Sequence, residues 1–384
     1  MTERVDILVI GAGMAGASLA AELADHASVM ILEAEDQPGY HATGRSAAFW
    51  SETYGGPWVQ PLTTASRAFL QEPDPGFHDR SFLTPRGALH LADASGAAAL
   101  DRLMGDFADS TVELRPLGRL DLLQIVPALR PGWDRAVCEP SCADIDVAAL
   151  HGAYLRQARR AGAVLRTGAR VTAIKRSDRG WRVDIGSHTV ESDVVVNAAG
   201  AWAEAVAGMA GVRPLGIRPY RRTMIQLAVD PPAPPDLPLV IDARERFYFK
   251  PEAGGRLWLS PHDETPCQAC DSAPEEIDTA LAIARFERAV DWPIRRVERR
   301  WAGLRTFAPD RRPVYGFAPE SPGFFWCAGQ GGFGIQTAPA AAKLAASLLL
   351  GHGPDRAIAG IDPAFYRPDR FGDAAAAGAS IDLT

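Results

Sequence analysis

The chain has 384 residues, a length that suits two domains better than one simple hydrophobic core. Its 47 acidic and 40 basic side chains give a formal charge of −7, which argues against a nucleic-acid-binding protein, because such proteins present a basic face to phosphates. No apolar run reaches the roughly 18 residues that span a bilayer, and no signal-peptide pattern precedes the first predicted strand. These features predict a cytoplasmic protein without a transmembrane segment.

The chain opens with a predicted βαβ unit. Residues 5–10 (VDILVI) and 28–33 (SVMILE) are apolar runs typical of buried strands, and Gly11, Gly13 and Gly16 lie between the first strand and a helix-forming stretch. In this setting the first glycine permits a tight turn, the second lets the backbone approach a pyrophosphate, and the third lets the helix pack closely on the strand. Glu33 ends the second strand, where a carboxylate accepts from ribose hydroxyls. The unit therefore predicts dinucleotide binding.

Two styles of sequence alternate further along. A helix is predicted over residues 150–161, a strand at 164–165, a hairpin around an Asp178-Arg-Gly turn and a buried strand at 193–197. Other regions are richer in proline and in alternating strands such as RFYFKP and RLWLSP, which indicate an antiparallel sheet. The tail from residue 372 has few bulky apolar groups and is predicted to fray. We predict an α+β fold with a discontinuous Rossmann-type α/β domain of residues 1–80, 141–214 and 306–384, and an antiparallel-sheet substrate domain of residues 81–140 and 215–305.

The cofactor predicted for the βαβ unit is FAD rather than NAD. An NAD domain would continue as alternating strands and helices. Residues 39–50 (GYHATGRSAAFW) instead contain many small and polar residues, which can lie along the flat ring of a flavin. Residues 329–334 (GQGGFG) precede a predicted helix whose N-terminus would face the pyrimidine edge of a flavin, where negative charge accumulates on reduction. A disulfide or NAD(P)H reductase would need a second G-x-G-x-x-G and a redox cysteine pair near the flavin, and neither is expected here. A flavin-binding protein without turnover stays an alternative.

Six motifs follow one another along nearly the whole chain: the glycine fingerprint with Glu33, residues 43–48, DVVVNAAGAW, WAGLR (301–305), Pro309-Asp-x-x-Pro313-x-x-Gly316 and GQGGFG. In this order they resemble the D-amino-acid oxidase family of flavoproteins. The segments GYHATGRSAA, ADIDVAALHGAYLR, GVRPLGIRPYRR, FYFKPEAG and GQGGFGIQT are most similar to FAD-dependent D-arginine dehydrogenases. The resemblance implies a glutathione-reductase-like flavin domain beneath an antiparallel substrate domain. It also implies that a D-amino acid loses a hydride from Cα to flavin N5, and that the imino acid then hydrolyses to a 2-oxo acid and ammonia.

The resemblance assigns residues to the FAD. They are Gly11, Gly13, Ala15, Gly16, Glu33, Thr43, Gly44, Arg45, Ser46, Ala47, Val171, Ala199, Gly200, Trp202, Gly329, Gly331, Gly332, Phe333, Gly334 and Ile335. Related enzymes that bind flavin covalently use a cysteine after the WAGLR-type motif, and the stretch TFAPDRRP has none, so non-covalent FAD is predicted. Cys267 and Cys270 form a C-x-x-C without a second ligand pair nearby, and no metal or redox role is predicted for them.

The resemblance also assigns the substrate site. Arg222 and Arg305 match positions that clamp the substrate carboxylate, a task that suits guanidinium groups because they pair bidentately and stay charged. The neighbouring Arg221 is the alternative to Arg222, and surface ion pairs are the alternative role for such arginines. Tyr54 and Tyr248 match tyrosines that hydrogen-bond the substrate, with a core role as the alternative.

Phe49, Ala88 and Gln330 are assigned to the side-chain pocket. The arginine-acting relatives carry Glu in place of Ala88 and His in place of Phe49. Burying the guanidinium of a D-arginine substrate without that carboxylate would cost a desolvation free energy on the order of several kcal/mol. The best substrate is therefore predicted to be a D-amino acid with a small or apolar side chain. A 2-hydroxy acid or an N-methylated or secondary amine on the same scaffold is the alternative. His41 is either a base or a residue that orients backbone, and the electron acceptor (oxygen, a quinone or a carrier protein) is not specified.

Overall fold

The computed structural model describes residues 2–376 and confirms the α+β fold class. The end of the predicted frayed tail, residues 377–384, lies outside the described residues. The α-helices are α1 (Met14–Leu23), α2 (Gln60–Gln71), α3 (Ala97–Asp106), α4 (Arg119–Ile125), α5 (Val147–Arg160), α6 (Ala203–Met209), α7 (Glu276–Ala289) and α8 (Ala338–Leu350). Over residues 2–376, none of the helices is long and apolar enough to cross a membrane.

The strands fall into two large sheets and one small one. In chain order they are β1 (Thr2–Ile10), β2 (Val29–Leu32), β3 (Phe49–Trp50), β4 (Leu83–Pro85), β5 (Ala88–Asp93), β6 (Arg115–Gly118), β7 (Trp133–Glu139), β8 (Ala143–Ile145), β9 (Val164–Arg166), β10 (Ala173–Ser177), β11 (Gly180–Ile185), β12 (His188–Asn197), β13 (Arg218–Val229), β14 (Leu239–Asp242), β15 (Tyr248–Glu252), β16 (Arg256–Ser260), β17 (Thr265–Pro266), β18 (Ile294–Phe307), β19 (Val314–Phe317), β20 (Phe324–Ala328) and β21 (Gln330–Gly331).

The first large sheet has a parallel centre in the order β20-β12-β1-β2-β9. The central strands are buried on both faces because α1, α5 and α8 cover one side and a second apolar cluster fills the other, which explains the unbroken apolar run of β1. The hairpin β10–β11 extends this sheet, with Ser177 opposite Gly180 as the predicted turn requires. At one edge the carboxyl ends of β1, β2, β12 and β20 meet, and ligands of open α/β sheets bind at such edges.

The second large sheet follows the order β21-β18-β13-β16-β15-β14-β5-β7-β6 and is antiparallel except for the pair β14–β5. Its longest ladder joins β13 to β18, which come from the two ends of the 215–305 region. One face packs against α7 and α4 through an apolar cluster that includes Phe249 and Phe286. The opposite face lies toward the carboxyl ends of the parallel strands of the first sheet. We propose that the two domains have the boundaries given above, with residues 81–140 and 215–305 forming the substrate domain.

The predicted helix after GQGGFG starts later than expected. Residues 332–337 form a series of turns, and α8 begins at Ala338, with Thr337 as its N-cap and Pro339 in its first turn. The backbone torsion φ is +66° at Gly329 and +54° at Gly331, values that favour glycine and that do not belong to a helix. The glycine cluster is therefore a loop along the cleft and not a helix N-terminus that points into it.

Candidate active site

The carboxyl ends of the parallel strands open into a cleft with a cavity volume of about 240 Å³. The segments that line it follow β1, β2, β12 and β20 directly, and residues 39–46 and part of β18 complete the wall. The predicted cofactor residues that line this cleft are Gly11, Gly13, Ala15, Glu33, Thr43, Arg45, Ser46, Val171, Ala199, Gly200, Trp202, Gly329, Gly331, Gly332, Gly334 and Ile335.

The glycine fingerprint at the end of β1 has the geometry that a pyrophosphate requires. Gly11 has φ of +105°, and a Cβ atom there would lie 2.5 Å from the carbonyl oxygen of Ala198. A Cβ at Gly16 would lie 1.9 Å from the carbonyl oxygen of Gly11, so the third glycine serves close packing of α1 on the turn. A Cβ at Gly13 would meet only the hydroxyl of Thr43, at 3.4 Å, and would otherwise fill the cleft. The turn therefore leaves space at Gly13 for a ligand to approach the backbone.

Glu33 holds the turn from the second strand. One carboxylate oxygen accepts from the backbone N–H of Ala12 at 2.9 Å, and the other accepts from that of Glu35 at 3.0 Å. Thr43 accepts from the N–H of Met14 at 3.0 Å and so ties the loop of residues 39–46 to the start of α1. These residues fit the phosphates and a ribose of a dinucleotide, with Glu33 as the hydroxyl acceptor.

Four residues predicted to bind the cofactor lie behind the cleft and do not line it. Gly16 faces the turn, and Gly44 faces the carbonyl oxygen of Gly39, 2.8 Å from where its Cβ would be. Ala47 is buried in the cluster around Tyr248, and Phe333 packs against Val59 and Phe307. These four residues pack behind the wall of the cleft.

Arg222 and Arg305 lie on one face of the β13–β18 ladder. Arg222 is opposite Gly303 and Tyr220 is opposite Arg305, so the two arginines are diagonal neighbours. Both are buried, with 2% of Arg222 and 6% of Arg305 exposed. Gly303 makes room for Arg305, because a Cβ there would lie 3.0 Å from Nη1 of that residue. The glycine of WAGLR thus has a packing reason that the sequence did not reveal.

The two guanidinium groups differ in their partners. Arg222 donates to the carboxylate of Glu264 at 2.9 Å and to the carbonyl of Asp263 at 2.8 Å. Arg305 donates only one weak bond, to the carbonyl of Arg45 at 3.3 Å, and its buried Nη1 has no hydrogen-bond partner among residues 2–376. Burial lowers the pKa of Arg305, and the nearby positive charge of Arg222 acts in the same direction. A buried cation with an unused donor at the edge of a cleft requires an anion.

The contacts of Arg221 argue against it as the arginine that binds the substrate carboxylate. Its side chain lies on the other face of β13, where it forms ion pairs with Glu275 and with Asp278, the latter at 2.9 Å. These carboxylates come from the start of α7, so Arg221 fastens the helix to the sheet. The ion-pair alternative was raised for Arg222 and Arg305. Arg222 does pair with a carboxylate, that of Glu264, whereas no carboxylate among residues 2–376 forms an ion pair with Arg305.

Tyr54 and Tyr248 lie beside the arginine pair. Tyr248 is buried and donates its hydroxyl hydrogen to the sulfur of Met224 at 3.1 Å, and burial raises the pKa of this phenol. The hydroxyl of Tyr54 approaches the Gly332 backbone so closely that a Cβ there would lie 1.9 Å away. His262, which the sequence analysis did not single out, stacks edge-on against Tyr248 at 5.4 Å. Burial and the facing Arg222 lower the pKa of His262 well below its ordinary value.

A second cavity of about 60 Å³ opens on the other side of Tyr54 and Tyr248. Phe49 lines it as predicted, but Ala88 and Gln330 do not. Gln330 lines the cofactor cleft and donates to the hydroxyl of Tyr315 at 3.2 Å. The further lining residues mix apolar and polar groups: Ser51, Thr53, His90, Leu103, Ile241, Asp242, Ala243, Glu245 and His262. The second cavity is therefore partly polar and not the wholly apolar side-chain pocket that the sequence predicted.

Ala88 is fully buried between β7 and β14, in the apolar cluster that holds Met224, Leu239 and Tyr248. We expect Ala88→Glu to destabilise the fold by about 2 kcal/mol or more, because it buries a carboxylate without a designed partner. Thermal unfolding checks this, with Ala98→Glu on the exposed side of α3 as the matched control. Equal melting temperatures for both variants would contradict the placement of Ala88.

His41 lies in the cofactor cleft and not at the arginine pair. Its Nε2 is 3.0 Å from a carboxylate oxygen of Glu35, and its ring packs against Trp202. These contacts fit the orienting role given as the alternative to a base.

The parallel sheet, the glycine turn and the acid at the end of β2 define a dinucleotide-binding oxidoreductase. Residues 6–348 match the model of the FAD dependent oxidoreductase (DAO) family, and the chain belongs to this family. FAD is accordingly its cofactor, and the glycine turn and the open space at Gly13 fit it.

Relatives and solved structures agree over nearly the full length. A glycine oxidase of Pseudomonas aeruginosa is 29% identical over 96% of this chain and 99% of its own length. The crystal structure of glycine oxidase from Geobacillus kaustophilus superposes with a TM-score of 0.80 at 25% identity, covering 94% of this chain and 98% of the other. L-Proline dehydrogenase from P. horikoshii has a TM-score of 0.83 at 22% identity, covering 97% and 98%. The glycine oxidases agree with the family and the proline dehydrogenase with the fold, whereas the narrower resemblance to D-arginine dehydrogenases is not specifically supported.

The flavin is expected to be non-covalent. Two cysteines line the cofactor cleft, Cys270 at its exposed rim and Cys327 within it, and burial raises the pKa of Cys327 to about 12, which keeps its thiol protonated. Acid precipitation of the purified protein should therefore release all of the FAD into the supernatant. Yellow colour or flavin fluorescence that stays with the washed precipitate would contradict this, and peptide mapping would then identify the linked residue.

Proposed function

We propose that this flavoenzyme oxidises the carbon–nitrogen bond of a small α-amino acid, of D configuration where the α carbon is chiral. The product imino acid hydrolyses to a 2-oxo acid and ammonia. The observation that carries the proposal is Arg305, which lines the cofactor cleft and whose buried Nη1 has no hydrogen-bond partner among residues 2–376. A substrate carboxylate is the anion that this donor suits, because the guanidinium fork matches its geometry.

The remaining groups have complementary tasks. FAD, when bound, accepts the hydride that leaves the substrate's α carbon. Arg222, held by Glu264, adds a second positive charge beside the carboxylate, and the hydroxyl of Tyr248 becomes a further donor once it turns from the sulfur of Met224 to the substrate. The imidazole of His262, held neutral, can accept a hydrogen bond from the substrate amine. The residues thus fix the carboxylate and the nitrogen while the α carbon faces the cleft.

The second cavity supports a small side chain. Its volume of about 60 Å³ is a quarter of the 240 Å³ of the cofactor cleft, which favours a small group over a long one. Its size and Phe49 support this limit, whereas Ala88 no longer does, since it lines neither cavity. The glycine oxidases among the relatives act, by their names, on the smallest amino acid.

Anaerobic stopped-flow reduction of the flavin tests the proposal. We expect glycine and D-alanine to bleach the flavin faster than D-arginine, and faster than the L enantiomer and D-lactate. A 2-oxo acid and ammonia should accumulate in equal amounts. Faster bleaching by D-lactate would favour hydroxy-acid oxidation, and faster bleaching by sarcosine would favour a secondary amine. No bleaching by any of these compounds would contradict the proposal and leave a flavin protein without this activity.

A further inference from the structure

The segment of residues 265–272, called the strap below, crosses the open side of the cofactor cleft. At one end it belongs to the substrate domain's sheet, where Thr265 and Pro266 pair with β13 and the N–H of Cys267 donates to the carbonyl of Pro219 at 3.1 Å. At the other end it reaches the loop of residues 39–46. The strap therefore joins the two parts of the molecule that face each other across the cleft.

The far end of the strap is fastened by Arg45. This guanidinium pairs with the carboxylate of Asp271 and donates to the carbonyl of Ser272 at 3.0 Å and to that of Ala302 at 3.1 Å. The hydroxyl of Tyr40 donates to Asp271 at 3.1 Å. Since Arg45 and Tyr40 line the cofactor cleft, the strap must leave Arg45 before a bound cofactor can leave by this side.

Two thiols lie between these anchors. The sulfur atoms of Cys267 and Cys270 are 3.8 Å apart, and Cys270 is exposed and also lines the cofactor cleft. A closed C-x-x-C disulfide needs the sulfurs to approach by rotation of the side chains. Cys270 thus lies at the cofactor cleft, whereas no cysteine pair near the flavin was expected from the sequence. Over residues 2–376, no group of three or more His, Cys, Asp or Glu side chains is arranged to hold a metal ion.

We propose that Cys267 and Cys270 form a reversible disulfide that holds the strap closed over the cofactor cleft and slows the release of FAD. The exposed thiolate of Cys270 attacks a small-molecule disulfide and releases one thiol. Cys267 then attacks the mixed disulfide at the sulfur of Cys270 and releases the second thiol. Two protein thiols are oxidised and one small disulfide is reduced to two thiols, so electrons and protons balance.

The effect follows from chain entropy. The link removes freedom that the strap gains only when it detaches from Arg45, so it stabilises the attached state relative to the open one. A short loop of this kind is expected to slow release on the order of tenfold. The proposal depends on FAD binding and not on which substrate is oxidised, and the two can therefore fail independently.

The test compares the holoenzyme reduced with dithiothreitol and the holoenzyme oxidised with glutathione disulfide. Thiol titration and peptide mapping should show that two thiols are lost and that one intrachain bond joins Cys267 to Cys270. After dilution, the rise of free-FAD fluorescence should be about tenfold slower for the oxidised form. Cys267→Ser should remove this difference, whereas Cys138→Ser, which alters a partly exposed thiol elsewhere, should keep it.

Three results would overturn the proposal. They are a glutathione adduct that stays on Cys270 without converting to the intrachain bond, equal FAD release from both forms, and a difference that persists in Cys267→Ser. The wild-type comparison of oxidised and reduced protein decides the matter even if a variant does not fold.

Discussion

Replacing Arg305 by alanine should lower kcat/KM for amino-acid substrates by roughly 30-fold or more, because removal of one partner of a buried charge pair costs about 2–5 kcal/mol. The reason lies in the contacts of this residue. Its Nη1 is buried and has no partner within the described residues 2–376, so the donor is available to the substrate in a way that Arg222, already paired with Glu264, is not. The variant should still bind FAD, since the glycine turn and Glu33 follow β1 and β2, whereas the substitution is on β18, in another part of the cleft wall.

Steady-state kinetics with glycine and D-alanine, together with the flavin spectrum of each preparation, check this expectation. Arg300→Ala is the matched control, because it removes an exposed arginine from the same strand. Arg305→Lys should recover only part of the activity, since a lysine keeps the charge but loses the planar fork. Near-normal kinetics for Arg305→Ala would show that another group holds the carboxylate.

Replacing Gly11 by alanine should weaken FAD binding by about 100-fold or more. The new Cβ would lie 2.5 Å from the carbonyl oxygen of Ala198 and would require a φ of +105°, which side chains rarely adopt. Because the carbonyl that the Cβ meets belongs to the backbone and cannot rotate away, the ends of β1 and β12 would have to separate at the point where the pyrophosphate is expected.

Flavin content after purification and FAD titration by fluorescence quenching measure the effect. Gly162→Ala offers a control with a similar torsion, φ of +98°, but with no atom within 4 Å of the new Cβ and no place in the cleft. It should lose some stability and keep its FAD. If Gly11→Ala retained normal FAD affinity, the glycine turn would not be the pyrophosphate site.

The cofactor site could be predicted from the sequence because its determinants are local. Gly11, Gly13 and Glu33 follow strands that are readable as apolar runs, and the chemistry of each depends on its place at a strand end. The late start of α8 was missed, because a glycine-rich turn before a helix and a helix that starts at the glycines have the same composition.

The substrate site could not be predicted as fully, because it depends on strand pairings between distant parts of the chain, which no local sequence pattern indicates. Ala88 does not line the cavity, because it is buried where β5 pairs with β7 on one side and β14 on the other. Its partners on these strands are about 50 and 150 positions away in the chain. Arg221 and Arg222 differ by one residue and hence by the face of the strand, so the register of β13 with β18 was needed to choose between them. The position of Cys270 likewise follows from the contact of Asp271 with Arg45, 226 residues earlier.

The central claim is that a buried arginine pair beside the flavin selects an amine that carries a carboxylate. The most direct test is the anaerobic rate of flavin bleaching by D-alanine, compared with ethylamine, which lacks only the carboxylate. The account predicts saturable bleaching by D-alanine, little or none by ethylamine, and a loss of this discrimination in Arg305→Ala. Bleaching by both amines at equal rates in the wild-type enzyme would contradict it.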